Sequence, residues 1–180
     1  MKEEELGRQS PASLRLAEAE YFLWEYIRHC GPPIDSYFKM VCYFDAFLFS
    51  LVSVEEMIGE EGKRQLQTDV SFRFLKALRN ISTHHSILAA PIQGKFERPF
   101  SRRVTVSVGG SPNDSSRLSL RFDVLRQIFD VVEAERKQEA KTLGIAREFV
   151  NDLEASGKDV FLEEIMQHAF NSAKGVLANA

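Results

Sequence analysis

Apolar residues in this chain recur at steps of three and four over long stretches, and switch only once to steps of two. Ser10 followed by Pro11 reads as an N-cap and a first-turn proline, opening a helix that runs to about His29. Within it Leu14, Ala17, Tyr21, Trp24 and Arg28 form a stripe, with Leu23 and Ile27 beside it. Gly31-Pro32-Pro33 breaks the helix. A second helix runs from near Asp35 to about Ile58 and is apolar on most sides, so it is expected to be the most buried element. Gly59 and Gly62 end it, and Thr68 is expected to cap a third helix that stops before Pro91.

The period changes after Pro91. Arg103 to Val108 and Arg117 to Phe122 both alternate apolar and polar residues, and GGSPNDSS between them is rich in turn formers. A β-hairpin over about 102–122 is the expectation. Asp123 then caps a fourth helix carrying Val124, Leu125, Ile128, Val131 and Val132. It continues through the charged stretch EAERKQEAK toward Glu154, with Gly144 as a candidate break. Asp159 opens a last helix with Phe161, Leu162, Ile165, Met166, Ala169 and Phe170. The expected fold is an all-α helical bundle of five or six helices with one inserted β-hairpin, forming a single domain over residues 1–180.

Composition agrees with one globular domain: 180 residues, 44% hydrophobic and 27% charged, with 14 Phe to fill a core. Cys30 and Cys42 cannot build a disulfide framework or a four-thiolate zinc site. The start, MKEEELGRQS, has no apolar h-region, and the most apolar stretch, Met40 to Val54, is too short to span a bilayer and carries Asp45. A cytoplasmic protein without membrane contact is expected. The net charge of −3 hides an asymmetry. Lys63 to Arg126 holds twelve basic and four acidic residues, a net +8, which leaves −11 on the two flanks. This basic middle either draws a polyanion or pairs with the acidic ends, and both readings stay open.

The third helix carries the candidate chemistry. On an ideal helix, about 100° per residue, Arg73, Lys76, Asn80 and His84 share one polar stripe. Phe74, Leu78, Ile81, His85, Leu88 and Ala89 lie about 60–160° around from Arg73, on the core-facing side. The adjacent histidines are therefore unlike: His84 belongs to the polar stripe, and His85 reads as a core residue. No other His or carboxylate lies three or four residues from them, so no metal site is expected, and no cofactor fingerprint occurs. Cys30 beside His29 is not a catalytic dyad by adjacency, and Cys42 reads as core.

Arg79-Asn80-Ile81-Ser82-Thr83-His84 places an arginine, a polar residue and a histidine at a spacing that resembles the active-site signature of the HEPN superfamily. Tyr43 to Met57, with its Phe44-Asp45-Ala46-Phe47-Leu48 run, is similar to the second helix of such domains. The resemblance covers about residues 13–150 and is concentrated in these two helices. It implies a metal-independent endoribonuclease of a toxin or phage-defence system, with an antitoxin or defence-system partner. His84 would be the acid/base, Arg79 would stabilise the phosphate, and Asn80 would orient the imidazole. Arg73, Lys76, Arg102 and Arg103 would contact RNA. Arg79 projects about 140° from His84 on one helix, so the resemblance favours a homodimer in which two copies complete a cleft. In toxins of the family silenced by a nucleotidyltransferase, a tyrosine two residues after the histidine is modified; here that position is Ser86. The alternative is a catalytically inactive HEPN-like dimerisation or adaptor module.

Overall fold

In the computed structural model of the chain, the residues described are 10–29, 37–82, 100–105, 115–135, 137, 140–157 and 160–179. Among them are seven α-helices: α1 (Pro11–His29), α2 (Tyr37–Met57), α3 (Glu60–Leu66), α4 (Val70–Ser82), α5 (Phe122–Glu135), α6 (Ala140–Ala155) and α7 (Leu162–Ala178). They share one core, to which every helix contributes.

Local chemistry explains most boundaries. Ser10 Oγ accepts a hydrogen bond from the Ser13 amide at 3.2 Å, which satisfies one of the donors left open at the start of α1. At α4 the cap is Asp69, not the expected Thr68: Asp69 Oδ1 accepts from the Phe72 amide at 2.7 Å. Thr68 instead donates its hydroxyl to the Gln65 carbonyl at 2.7 Å and closes α3. Helix α3 itself was not expected, because its two glycines read as breaks. Gly59 does precede it, but Gly62 is buried inside it. A Cβ there would lie 3.0 Å from Ile58 Cδ1 and 3.2 Å from Val176 Cγ1, so glycine permits α3 to approach α7 closely. Gly157, at φ 65°, adopts the left-handed conformation just beyond the end of α6.

The expected fold class needs correction. The body is all-helical, with seven helices among the described residues instead of five or six, and no hairpin is inserted into it. Phe122, the expected end of a strand, is the first residue of α5. Among the described residues two extended segments, β1 (Phe100–Thr105) and β2 (Ser115–Leu120), pair with each other, with Arg102 opposite Leu118 and Arg103 opposite Arg117. The turn that would make them a hairpin, 106–114, lies outside the described residues, and Arg102 and Arg103 enter as backbone positions only. Where one long fourth helix is expected, the described residues hold two, one ending at Glu135 and one beginning at Ala140, and Gly144 sits within α6 with open space around it.

Helix α2 is largely buried, as its composition suggests, with Phe44, Phe47, Leu48, Leu51 and Val54 at most 1% exposed. Its partner α1 presents an unexpected face. The side against α2 is Ala12, Leu16, Ala19, Leu23 and Tyr26, and Tyr26 meets Phe44 with ring centroids 6.2 Å apart. The apolar stripe read from the sequence points outward: Tyr21 is 57% and Trp24 59% exposed. Cys42, expected in the core, is exposed on α2. Helix α4 packs against α2, α6 and α7, and Phe74 of α4 stacks on Phe149 of α6 at 4.5 Å between centroids. Helices α5 and α6 form an antiparallel pair tied by two arginines. Arg126 bonds Glu154 and Asn151, and Arg147 bonds Asp130 at 2.7 Å and Glu133 at 3.0 Å. No helix among the described residues is long and apolar enough to cross a membrane.

Candidate functional site

Within Val70–Ser82 the polar stripe and the core face of α4 separate by burial. Phe74, Leu78 and Ile81 are buried, while Arg73, Lys76, Arg79 and Asn80 are half-buried. Arg73, Lys76 and Asn80 line one cavity of about 340 Å³ between α4 and α6. Gln67 and Ala77 also line it, and Lys141, Thr142 and Ile145 come from α6. The polar stripe thus faces a second helix across an open space and does not lie on a bare surface.

One cation of this cavity is held by a buried carboxylate. Glu55, near the end of α2, is 2% exposed. Its Oε2 accepts a hydrogen bond from Lys76 Nζ at 2.5 Å, and its Oε1 accepts one from Gln67 Nε2 at 2.9 Å. Both carboxylate oxygens are satisfied, which offsets the cost of burying the charge. Arg73 and Lys141 differ: among the described residues neither has an ion-pair partner. Arg73 also borders a smaller recess of about 70 Å³, lined in part by Glu148 and Asp152 of α6, yet makes no ion pair with either carboxylate. The cavity therefore carries three cationic groups, one of them paired with Glu55.

Arg79 stands apart from this group. It does not line the cavity; its Nη1 donates to Asn80 Oδ1 at a long 3.4 Å. His84 and His85 lie in 83–99, outside the described residues, so the pairing of Arg79 with His84 has no geometry here. Of the expected site residues, Arg73, Lys76 and Asn80 come together and Arg79 is their half-buried neighbour on the helix. Three contributors were missed. Lys141 and Thr142 were hidden because Lys141 ends the charged stretch EAERKQEAK, which reads as a solvated face. Glu55 gave a usable signal, being an acid within a largely apolar helix, which must find a partner if it is buried. Among the described residues, no three His, Cys, Asp or Glu side chains gather as a metal-binding group.

No protein-family model, no curated protein and no solved structure matches the chain.

Proposed function

We propose that this protein is a HEPN-like, metal-independent endoribonuclease of the cytoplasm, acting within a toxin or phage-defence system as a homodimer. The observation supporting this reading is the convergence of Arg73, Lys76 and Asn80 with Lys141 on one open cavity, a surface suited to phosphate groups. His84 follows Asn80 by one helical turn in the sequence. In the proposed reaction the 2′-oxygen bonds to the adjacent phosphorus and the bond from phosphorus to the 5′-oxygen breaks. His84 takes the 2′-OH proton as base and returns a proton to the departing 5′-oxygen as acid, so the imidazole ends as it began. Arg79, from the same or the second copy, stabilises the charge that builds on the phosphoryl oxygens. Arg102 and Arg103 guide the strand.

The test is incubation of the full chain with mixed transfer and messenger RNA in EDTA, reading product ends. The expected products carry 2′,3′-cyclic phosphate and 5′-OH ends, and His84→Ala abolishes them without changing the melting temperature. His85→Ala lowers stability instead, since its wheel position continues the buried face of Phe74, Leu78 and Ile81. No cleavage and no salt-sensitive RNA binding by the wild type sinks the nuclease reading.

A second reading, a dimerisation module without chemistry, is favoured by the outward stripe of α1. Leu14, Ala17, Tyr21 and Trp24 are exposed at steps of three and four, the spacing of a helix-pairing seam. A second copy of the chain is the occupant this spacing suits.

A further inference from the structure

We propose that the cavity between α4 and α6 binds a phosphomonoester dianion, a terminal phosphate, more tightly than the diester of a chain interior. The proposal deepens the ribonuclease reading by naming the substrate class of the same surface, and rests on that reading only where the terminal phosphate belongs to RNA.

Charge is the first argument. Of the three cations lining the cavity, Lys76 is already matched by Glu55. Arg73 and Lys141 retain their charges without ion-pair partners among the described residues. Two cations without an ion pair suit a group that carries about −1.5 to −2 near neutrality, even with Glu148 and Asp152 bordering the recess beside Arg73; an internal phosphodiester carries only one negative charge.

Donor geometry is the second. Arg73 and Lys141 reach the cavity from facing helices, so an anion between them is held from both sides. A guanidinium can take two phosphate oxygens at once, and an ammonium supplies a third contact. The Asn80 amide and the Thr142 hydroxyl add neutral donors at the same walls. Glu55 acts as a positioning residue: by fixing Lys76 Nζ it holds that charge at the cavity wall.

Size is the third. A volume of about 340 Å³ is at the small end of ligand pockets. It accommodates a phosphate with its sugar and part of a base, and Ala77 and Ile145 offer apolar surface to such a ring. The phosphomonoester has two sources, a free mononucleotide or the end of an RNA strand, and both present the same chemistry.

Calorimetric titration of the full chain tests this. The probes are adenosine, adenosine 5′-monophosphate, and two single-stranded RNAs of one sequence, one ending in 5′-phosphate and one in 5′-OH. The phosphorylated member of at least one pair should bind more tightly by about tenfold or more, the scale of a hydrogen bond to a charged group. A gain confined to the mononucleotide identifies a free nucleotide as the source; a gain confined to the RNA pair identifies a strand end. Lys141→Gln should remove most of that gain, and because Lys141 is exposed its replacement leaves the fold intact. Arg73→Gln should do the same, with Arg73→Lys restoring part of it. Lys174→Gln, a surface change on α7, should have no effect. Equal affinity within both pairs, or a gain that survives Lys141→Gln and Arg73→Gln together, overturns the proposal. RNA cleavage without a terminal-phosphate preference would leave the nuclease reading standing and this one fallen; a preference without cleavage would do the reverse.

Discussion

A carboxylate buried as deeply as Glu55 is stable only while its partners stay in place. Lys76→Ala removes the ammonium but leaves the carboxylate at 2% exposure with Gln67 alone. Breaking one side of a buried pair costs about 3–5 kcal/mol, and the half-exposed lysine side places this pair near the lower figure. Denaturant unfolding of Lys76→Ala should therefore show a large loss. Glu55→Gln added to it should recover much of that loss, since the neutral amide needs no cation and its oxygen can still accept from Gln67. Additive losses would show that the pair is not coupled as described. At this scale the sequence was informative wherever a single helix decides the answer. Arg73, Lys76 and Asn80 fall together by angle alone. It was silent wherever the partner sits on another element: nothing local ties Glu55 to Lys76, or Lys141 to Arg73.

Helix α1 shows how an element's period can be correct and its face wrong. Two stripes at steps of three and four run along it. One contains Leu14, Tyr21 and Trp24, the other Ala12, Leu16, Ala19, Leu23 and Tyr26. Weight of apolar surface favours the first. Close packing favours the second, because Ala12 and Ala19 let the backbone of α1 come near α2, whereas Trp24 would hold it away. The same logic hid α3, where Gly62 permits close approach and only locally resembles a break. The α5–α6 pair adds a pH-dependent element. Glu154 is held below its ordinary carboxylate range, chiefly by the hydrogen bond from Arg126 and also by its charge. A lowered folded-state value means that this contribution is present above the unfolded-state value and fades as pH falls through the folded one. The difference in melting temperature between wild type and Arg126→Gln should thus be positive at neutral pH and vanish in acid. Added salt should shrink it at neutral pH as well, since both groups face solvent. A difference that persists at low pH would assign the effect to packing of the arginine stem.

The whole molecule sets two features on different elements: a cationic cavity between α4 and α6 and an aromatic seam on α1. Their separation allows the two functional readings to be tested one at a time. If a second copy covers the seam, burying Tyr21 and Trp24 removes large apolar surfaces from water and favours association at micromolar concentration. Trp24→Glu would then place a charge in the seam and convert the dimer to a monomer in sedimentation velocity. Because Trp24 is 59% exposed within one chain, the melting temperature of the isolated fold should hardly change. Phosphate binding at Arg73 and Lys141 should survive in that monomer, since neither residue is on α1. A dimer that withstands Trp24→Glu would exclude the α1 seam and leave the surface near Arg79 on α4 as the pairing face that the ribonuclease reading calls for. A wild type that sediments as a monomer throughout the micromolar range would refute both interfaces, and the composite cleft with them.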